Sequence, residues 1–206
     1  MSRDSYPRFM SSVGIEADAL LGPLERAIEE AVGARALVSA TARLDPGIDP
    51  SALALGSRLA SDRWFCWEQP DRDGFALAGI GAAAELISRG AGRFRDVAAD
   101  CALIARELLH SGPTDLPSGA GPVFVGGFAF DNDGAAEAHW ASLPPALLVL
   151  PELSLWRRGS DAYATLTVQV SRDASEEQLI AKARARLASL EKIGRASCRE
   201  RVSECV

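Results

Sequence analysis

The sequence predicts an α+β fold: an antiparallel β-sheet built from hairpins and covered on one side by helices, with the strands paired sequentially rather than alternating singly with helices. Three observations predict it. Two strand-like stretches fold back on themselves around tight turns, at 62–82 and within 146–170. The helical periodicities lie between or after these hairpins, not between single strands. Hydrophobic residues make up 48% of the chain and charged residues 24%, which suits a packed globular core.

The order of elements follows from local chemistry. Residues 1–14 read as a loose N-terminal arm. From Ile15 the apolar residues Leu20, Leu21, Leu24, Ile28 and Val32 recur at helical spacing, and Gly33 suits a C-cap. Pro23 is expected to split this stretch into two short helices. Arg35–Leu44 reads as a strand, stopped by Asp45-Pro46-Gly47. Asp49 or Ser51 can cap a short helix through Leu53, Leu55 and Leu59. The aromatic run Trp64-Phe65-Cys66-Trp67 then favours a strand. Pro70–Gly74 makes the turn, and Phe75–Ala82 the antiparallel return.

Ala83–Gly90 reads as a short helix and Arg93–Ser111 as a longer one, ended by Gly112-Pro113. After a Pro/Gly/Ser loop comes the most distinctive stretch, Gly121–Asp131. It is a run of β-formers broken by Gly126-Gly127 and closed by Asp131-Asn132-Asp133-Gly134. Paired glycines inside a strand imply a bulge, a bend or the close approach of another layer. Ala146–Arg157 reads as one strand. Pro151 within it cannot donate to a ladder and so marks an edge or a bulge. Gly159-Ser160-Asp161 turns the chain into Ala162–Val170. Ser175 and Gln178 form a capping box for a helix running to about Leu190.

Residues 15–192 are therefore expected to form one region. Residues 193–206 break the preceding helical pattern. Ile193–Val202 can be encoded by a string that resembles a common short-read sequencing adapter read in frame. This tail is expected to be foreign to the gene, so Cys198 and Cys205 receive no functional weight.

Composition narrows the function. The net charge is −6, from 22 basic and 28 acidic residues, which argues against a nucleic-acid surface. The apolar run Ala146–Leu150 is far short of the roughly 20 residues of a membrane span. Residues 1–10 have no apolar signal core, so a cytoplasmic location is expected. Cys66, Cys101, Cys198 and Cys205 show no C-x-x-C spacing, and His110 and His139 have no partner at ligand spacing. Neither a zinc site nor a disulfide framework is expected.

No nucleophile–base pair stands out. Gly79-Ile80-Gly81 lacks the third glycine of a dinucleotide loop and reads as close packing at a strand end. His110 reads as a helix-end residue. His139 reads as a surface-turn residue, Glu68 as a solvent-facing strand carboxylate, and Asp131 as a turn residue. Trp64 and Trp67 should point to opposite faces, one into the core and one covering a second layer.

The blocks Trp64–Pro70, Phe75–Gly81, Gly121–Asp131, Trp140 with Pro144-Pro145-Ala146, and Leu148–Leu153 together resemble the N-terminal half of isochorismate synthases. These are chorismate-utilising enzymes, related to anthranilate and aminodeoxychorismate synthases. The order and spacing of the blocks agree over about residues 15–190. The resemblance implies a magnesium-dependent isomerisation of chorismate to isochorismate, feeding menaquinone or siderophore synthesis. In the family a lysine activates water, a glutamate expels the hydroxyl, and further glutamates hold Mg²⁺. Those residues lie in the family's second half. Lys192 precedes Ile193-Gly194-Arg195, not the Lys-Val-Val-Leu-Ala-Arg-like strand that carries the catalytic lysine. No catalytic, cofactor-binding or metal-ligating residue is therefore carried over, and the chain is expected to be inactive alone. A fragment of an anthranilate or aminodeoxychorismate synthase, or a non-catalytic binding domain on the same scaffold, are the alternative readings.

Overall fold

The structure is a computed structural model. It describes residues 17–31, 33, 36–131 and 143–203, with the backbone alone for 191–203. The expected arm at 1–14, together with His139 and Trp140, lies outside the described residues.

In chain order the elements are α1 (Ala17–Ala31), β1 (Ala36–Arg43), α2 (Pro50–Ser57), β2 (Trp64–Gln69), β3 (Phe75–Ile80), β4 (Ala84–Ser88), α3 (Arg93–Glu107), β5 (Leu109–Ser111), β6 (Val125–Phe128), β7 (Ala146–Leu150), β8 (Leu153–Arg158), β9 (Asp161–Val170) and α4 (Glu176–Ser203). The strands form two sheets, ordered β2-β3-β8-β9-β1-β5 and β4-β7-β6. Every pairing is antiparallel except β1 with β5. The fold is α+β, as the hairpin pattern predicts.

The larger sheet is amphipathic by alternation. Val38 and Ala40 of β1, Leu153 and Leu155 of β8, and Leu166 and Val168 of β9 face the helices. There they meet Leu20, Leu24 and Ile28 of α1 and Leu179, Ala183 and Leu187 of α4. On the other face Leu77, Trp156 and Tyr163 pack against Leu116, Ala120 and Val123 of the long loop before β6. The middle of that face is polar but satisfied: Thr41 and Thr165 share a 2.8 Å hydroxyl–hydroxyl bond across β1 and β9.

Local signals held where they had a specific partner. Asp49 caps α2 by accepting from the Ala52 N–H at 2.9 Å. The Ser175–Gln178 box is reciprocal at the start of α4. The β2–β3 and β8–β9 hairpins both form. Other expectations give way to tertiary pairing. Pro23 does not split α1, because Leu20, Leu24 and Ile28 are fully buried along one continuous face. Ala83–Gly90 is no helix. Ala84–Ser88 pairs residue by residue with β7, which outweighs the weak helix propensity of so short a segment. The helix expected through Ser111 stops at Glu107, and Leu109–Ser111 leaves as β5 to join β1. The helix expected to end near Leu190 continues to Ser203.

Pro151 is the most informative correction. Ala146–Arg157 is not one strand. The chain leaves the smaller sheet at Leu150 and enters the larger at Leu153. Gly79 receives the proline ring: a Cβ added there would lie 2.7 Å from Pro151 Cγ. The next residue, Glu152, meets a charge cluster. Arg186 of α4 donates to Glu152 at 2.6 Å and to both oxygens of Asp62 at 2.6 and 2.9 Å, while Lys182 bonds Glu152 at 2.6 Å. The Asp62 and Arg186 side chains are only 7% and 11% exposed. The hydrogen bonds from Arg186 hold the Asp62 carboxyl below its ordinary pKa.

Two predictions follow from these contacts. A carboxylate with a depressed folded pKa stabilises the fold above its unfolded value and loses that contribution as pH falls through the folded one. Thermal stability should therefore fall on acidification below about pH 4, and Asp62→Asn should flatten that acid limb. Arg186→Met leaves Asp62 and Glu152 underpaired and should cost about 3 kcal/mol in denaturant melts; an unchanged midpoint would contradict the tie. The second prediction separates the paired glycines of β6. A Cβ at Gly126 would fall on the Leu147 backbone, whereas one at Gly127 meets nothing within 4 Å. Gly126→Ala should cost about 3 kcal/mol. Gly127→Ala should stay within about 1 kcal/mol of the parent.

Candidate functional site

The crossing at Pro151 brings the β2–β3 edge of the larger sheet beside the smaller sheet and leaves a cleft of about 660 Å³ between them. Phe65 and Gly79 line one wall, Val125, Leu147 and Val149 the other. The cleft continues past Phe65, Gly126, Leu143 and Leu147 into an apolar groove of about 610 Å³ flanked by Phe128 and Phe130. One end is thus polar and the other aromatic.

The charges at the polar end are matched. Arg63, just before β2, holds Glu85 of β4 with Nε–Oε1 at 2.5 Å and Nη2–Oε2 at 3.3 Å, which ties the two sheets across the cleft. Asp62 beside it is taken up by Arg186. These are the charged residues among the described ones lining the cleft, so among the described residues it offers no unpaired acid or base. At the aromatic end Arg93 anchors the chain. It is 2% exposed at the start of α3 and donates to the Ala129 carbonyl at 2.9 Å and to the Gly90 carbonyl at 3.1 Å. That fixes the exit of β6, while Phe94 stacks on Phe128 with centroids 4.6 Å apart.

The residues singled out in the sequence scatter around this cleft. Gly79 and Gly81 do pack closely. Gly81, at φ 71°, lies where a Cβ would be 2.6 Å from Glu152 Oε2. His110 is not at a helix end. It sits on β5, with Nδ1 2.9 Å from Ser39 Oγ of β1, and burial pushes its pKa down. Glu68 is exposed on β2, as expected. Trp64 and Trp67 do take opposite faces, but neither enters the core. They are 52% and 50% exposed because β2 is the sheet's outermost strand. Asp131 follows the end of β6 and borders the apolar groove. Cys66 packs against the helix-side core, and burial pushes its thiol pKa up, which makes it a poor nucleophile.

Sequence reasoning missed Arg63, Glu85, Arg93 and Arg186. Only Arg186 left a signal: it is an arginine beside the buried stripe Leu179, Ala183, Leu187 and Leu190. Among the described residues no three His, Cys, Asp or Glu side chains converge to hold a metal ion. The described residues therefore supply no ligand set for the magnesium of the resembled enzymes. Among the described residues no helix is long and apolar enough to cross a membrane.

Comparison with known proteins places this scaffold. The sequence profile described as chorismate binding enzyme matches residues 23–204. Among solved structures, the chain is similar to MenF, the menaquinone-specific isochorismate synthase from Escherichia coli. The identity is 18% and the TM-score 0.49, over 83% of this chain and 33% of that one. The chain thus spans about a third of that enzyme's length. A search of curated proteins gives no match. With the profile covering most of its length, the chain belongs to the chorismate binding enzyme family.

Proposed function

We propose that this chain is the N-terminal part of an isochorismate synthase, which converts chorismate to isochorismate with the help of Mg²⁺. The observation that carries the reading is the family match over residues 23–204, joined to the ordered blocks Trp64–Pro70, Phe75–Gly81, Gly121–Asp131 and Leu148–Leu153. Those blocks sit on β2, β3, β6 and the β7–β8 crossing, and so they build the walls of the cleft. They favour isochorismate synthase over its relatives, and the tryptophan-feedback signature of anthranilate synthases is not apparent.

The role proposed for these residues is structural. Among the described residues the cleft carries matched ion pairs and apolar walls, with no unpaired base to activate water and no carboxylate cluster for Mg²⁺. The lysine, the acid and the magnesium ligands of the reaction are proposed to lie on a C-terminal half that this sequence does not carry. Menaquinone or siderophore synthesis would consume the product.

Two measurements test the reading. The purified chain, incubated with chorismate and Mg²⁺ and followed by chromatography, should form no isochorismate; turnover would overturn the assignment of the chemistry elsewhere. Sequencing the source locus downstream of codon 192 should reveal a Lys-Val-Val-Leu-Ala-Arg-like strand in frame. Finding anthranilate or aminodeoxychorismate synthase signatures there would move the chain to those relatives.

A further inference from the structure

We propose that the open edge of β2 is a self-association surface, on which β2 of a second copy of this chain adds antiparallel about a two-fold axis through Cys66. Among the described residues, β2 pairs with β3 alone and ends the six-stranded sheet. Of the outermost strands it is the longest, at six residues against five in β4, four in β6 and three in β5. Its two tryptophans are half exposed. An aromatic edge that no described strand covers, without lysine or proline within it, is a template for another strand.

The backbone fixes the register. The Arg63 carbonyl accepts from the Gly81 N–H of the β3 side at 2.9 Å. Antiparallel ladders alternate, so Phe65 and Trp67 also turn their backbone groups toward β3. Trp64, Cys66 and Glu68 then turn theirs to the open edge. A two-fold axis at Cys66 sets Cys66 against its copy and Trp64 against Glu68, so each outward N–H and C=O of these residues finds a partner. It also keeps like faces together. Phe65 falls opposite Trp67 at non-hydrogen-bonded positions, where side chains lie closest and aromatic pairs stabilise most.

Charge complements this register. The Arg58 guanidinium lies over the Trp64 ring, 5.2 Å from its centroid. Trp64, Cys66 and Glu68 alternate onto one side of the sheet, so Glu68 and the guanidinium over Trp64 lie on the side that Cys66 faces. Neither makes an ion pair among the described residues. With Glu68 opposite the second copy's Trp64, it meets the second copy's Arg58, and the contact occurs twice.

Sedimentation velocity of the full chain over roughly 1 to 100 μM tests this, a range that brackets a micromolar dissociation constant. A concentration-dependent dimer is expected. Glu68→Arg should weaken it about tenfold, and Arg58→Glu combined with Glu68→Arg should restore it. Glu68→Pro removes one outward N–H without touching the β3 ladder; it should abolish the dimer while circular dichroism and melting remain those of the parent. A monomer throughout the range would overturn the proposal. So would a dimer indifferent to Glu68→Pro and Glu68→Arg, which would place the contact elsewhere, such as β6. A charge swap that fails to restore the Glu68→Arg loss would overturn this register.

Discussion

The geometry of this molecule hangs on one crossing. Between Leu150 and Leu153 the chain passes from the smaller sheet to the larger, and each residue of the passage is held by a different force. Pro151 is held by shape, against the bare backbone of Gly79. Glu152 is held by charge, between Arg186 and Lys182, while its carbonyl accepts from the Thr167 N–H at 2.8 Å. Leu153 is held by burial in the helix-side core. Arg186 also grips Asp62, which immediately precedes Arg63, and Arg63 returns across the cleft to Glu85 on the smaller sheet. Shape, charge and burial therefore close a circuit around the cleft. Exposed ion pairs are individually weak, but the shielded Asp62–Arg186 pair is placed where its loss would free the helix, the cleft wall and the crossing at once.

That circuit explains which parts of the fold were legible in the sequence. The hairpins could be read because turn chemistry and alternation are local, as at Pro70–Gly74 and Gly159–Asp161. The caps at Asp49 and Ser175 could be read for the same reason. Ala84–Ser88 could not, because its strand state depends on β7, more than fifty residues downstream. Pro151 was correctly read as a break in the ladder but not as a change of sheet, since that needs the position of Gly79. The cleft was hidden for a similar reason. Arg63, Glu85 and Arg186 are unremarkable singly and acquire meaning only from pairings at long range, such as the 124-residue separation of Asp62 and Arg186.

The two glycines of β6 sit in different surroundings. Both looked alike as a broken strand. In the fold they do different work. Gly126 is required by β7, whose backbone lies against it. Gly127 faces open space in an apolar groove bordered by Phe65, Phe128 and Leu143. No contact within the described residues demands a glycine there. Of the two glycines in the Gly121–Asp131 block, this fold therefore explains one and leaves the other open.

The exposed aromatics sharpen the same point. Soluble chains commonly expose single apolar residues, but Trp64, Trp67, Phe128, Phe130 and Leu143 are all among the exposed large hydrophobics, and Leu143 and the two phenylalanines border the cleft and groove that begin at β2. Two of them are held by neighbouring rings: Trp67 packs edge-on against Phe75 at 5.7 Å and Phe128 stacks on Phe94, while Arg93 fixes the carbonyl of Ala129. Ordering side chains in water-exposed positions costs conformational entropy. A surface on which aromatic groups are pre-positioned beside open strand edges loses less entropy when another polypeptide covers it. The ring contacts of Trp67 and Phe128 thus matter as much as their hydrophobicity: they lower the entropic cost of covering the strand edges beside them.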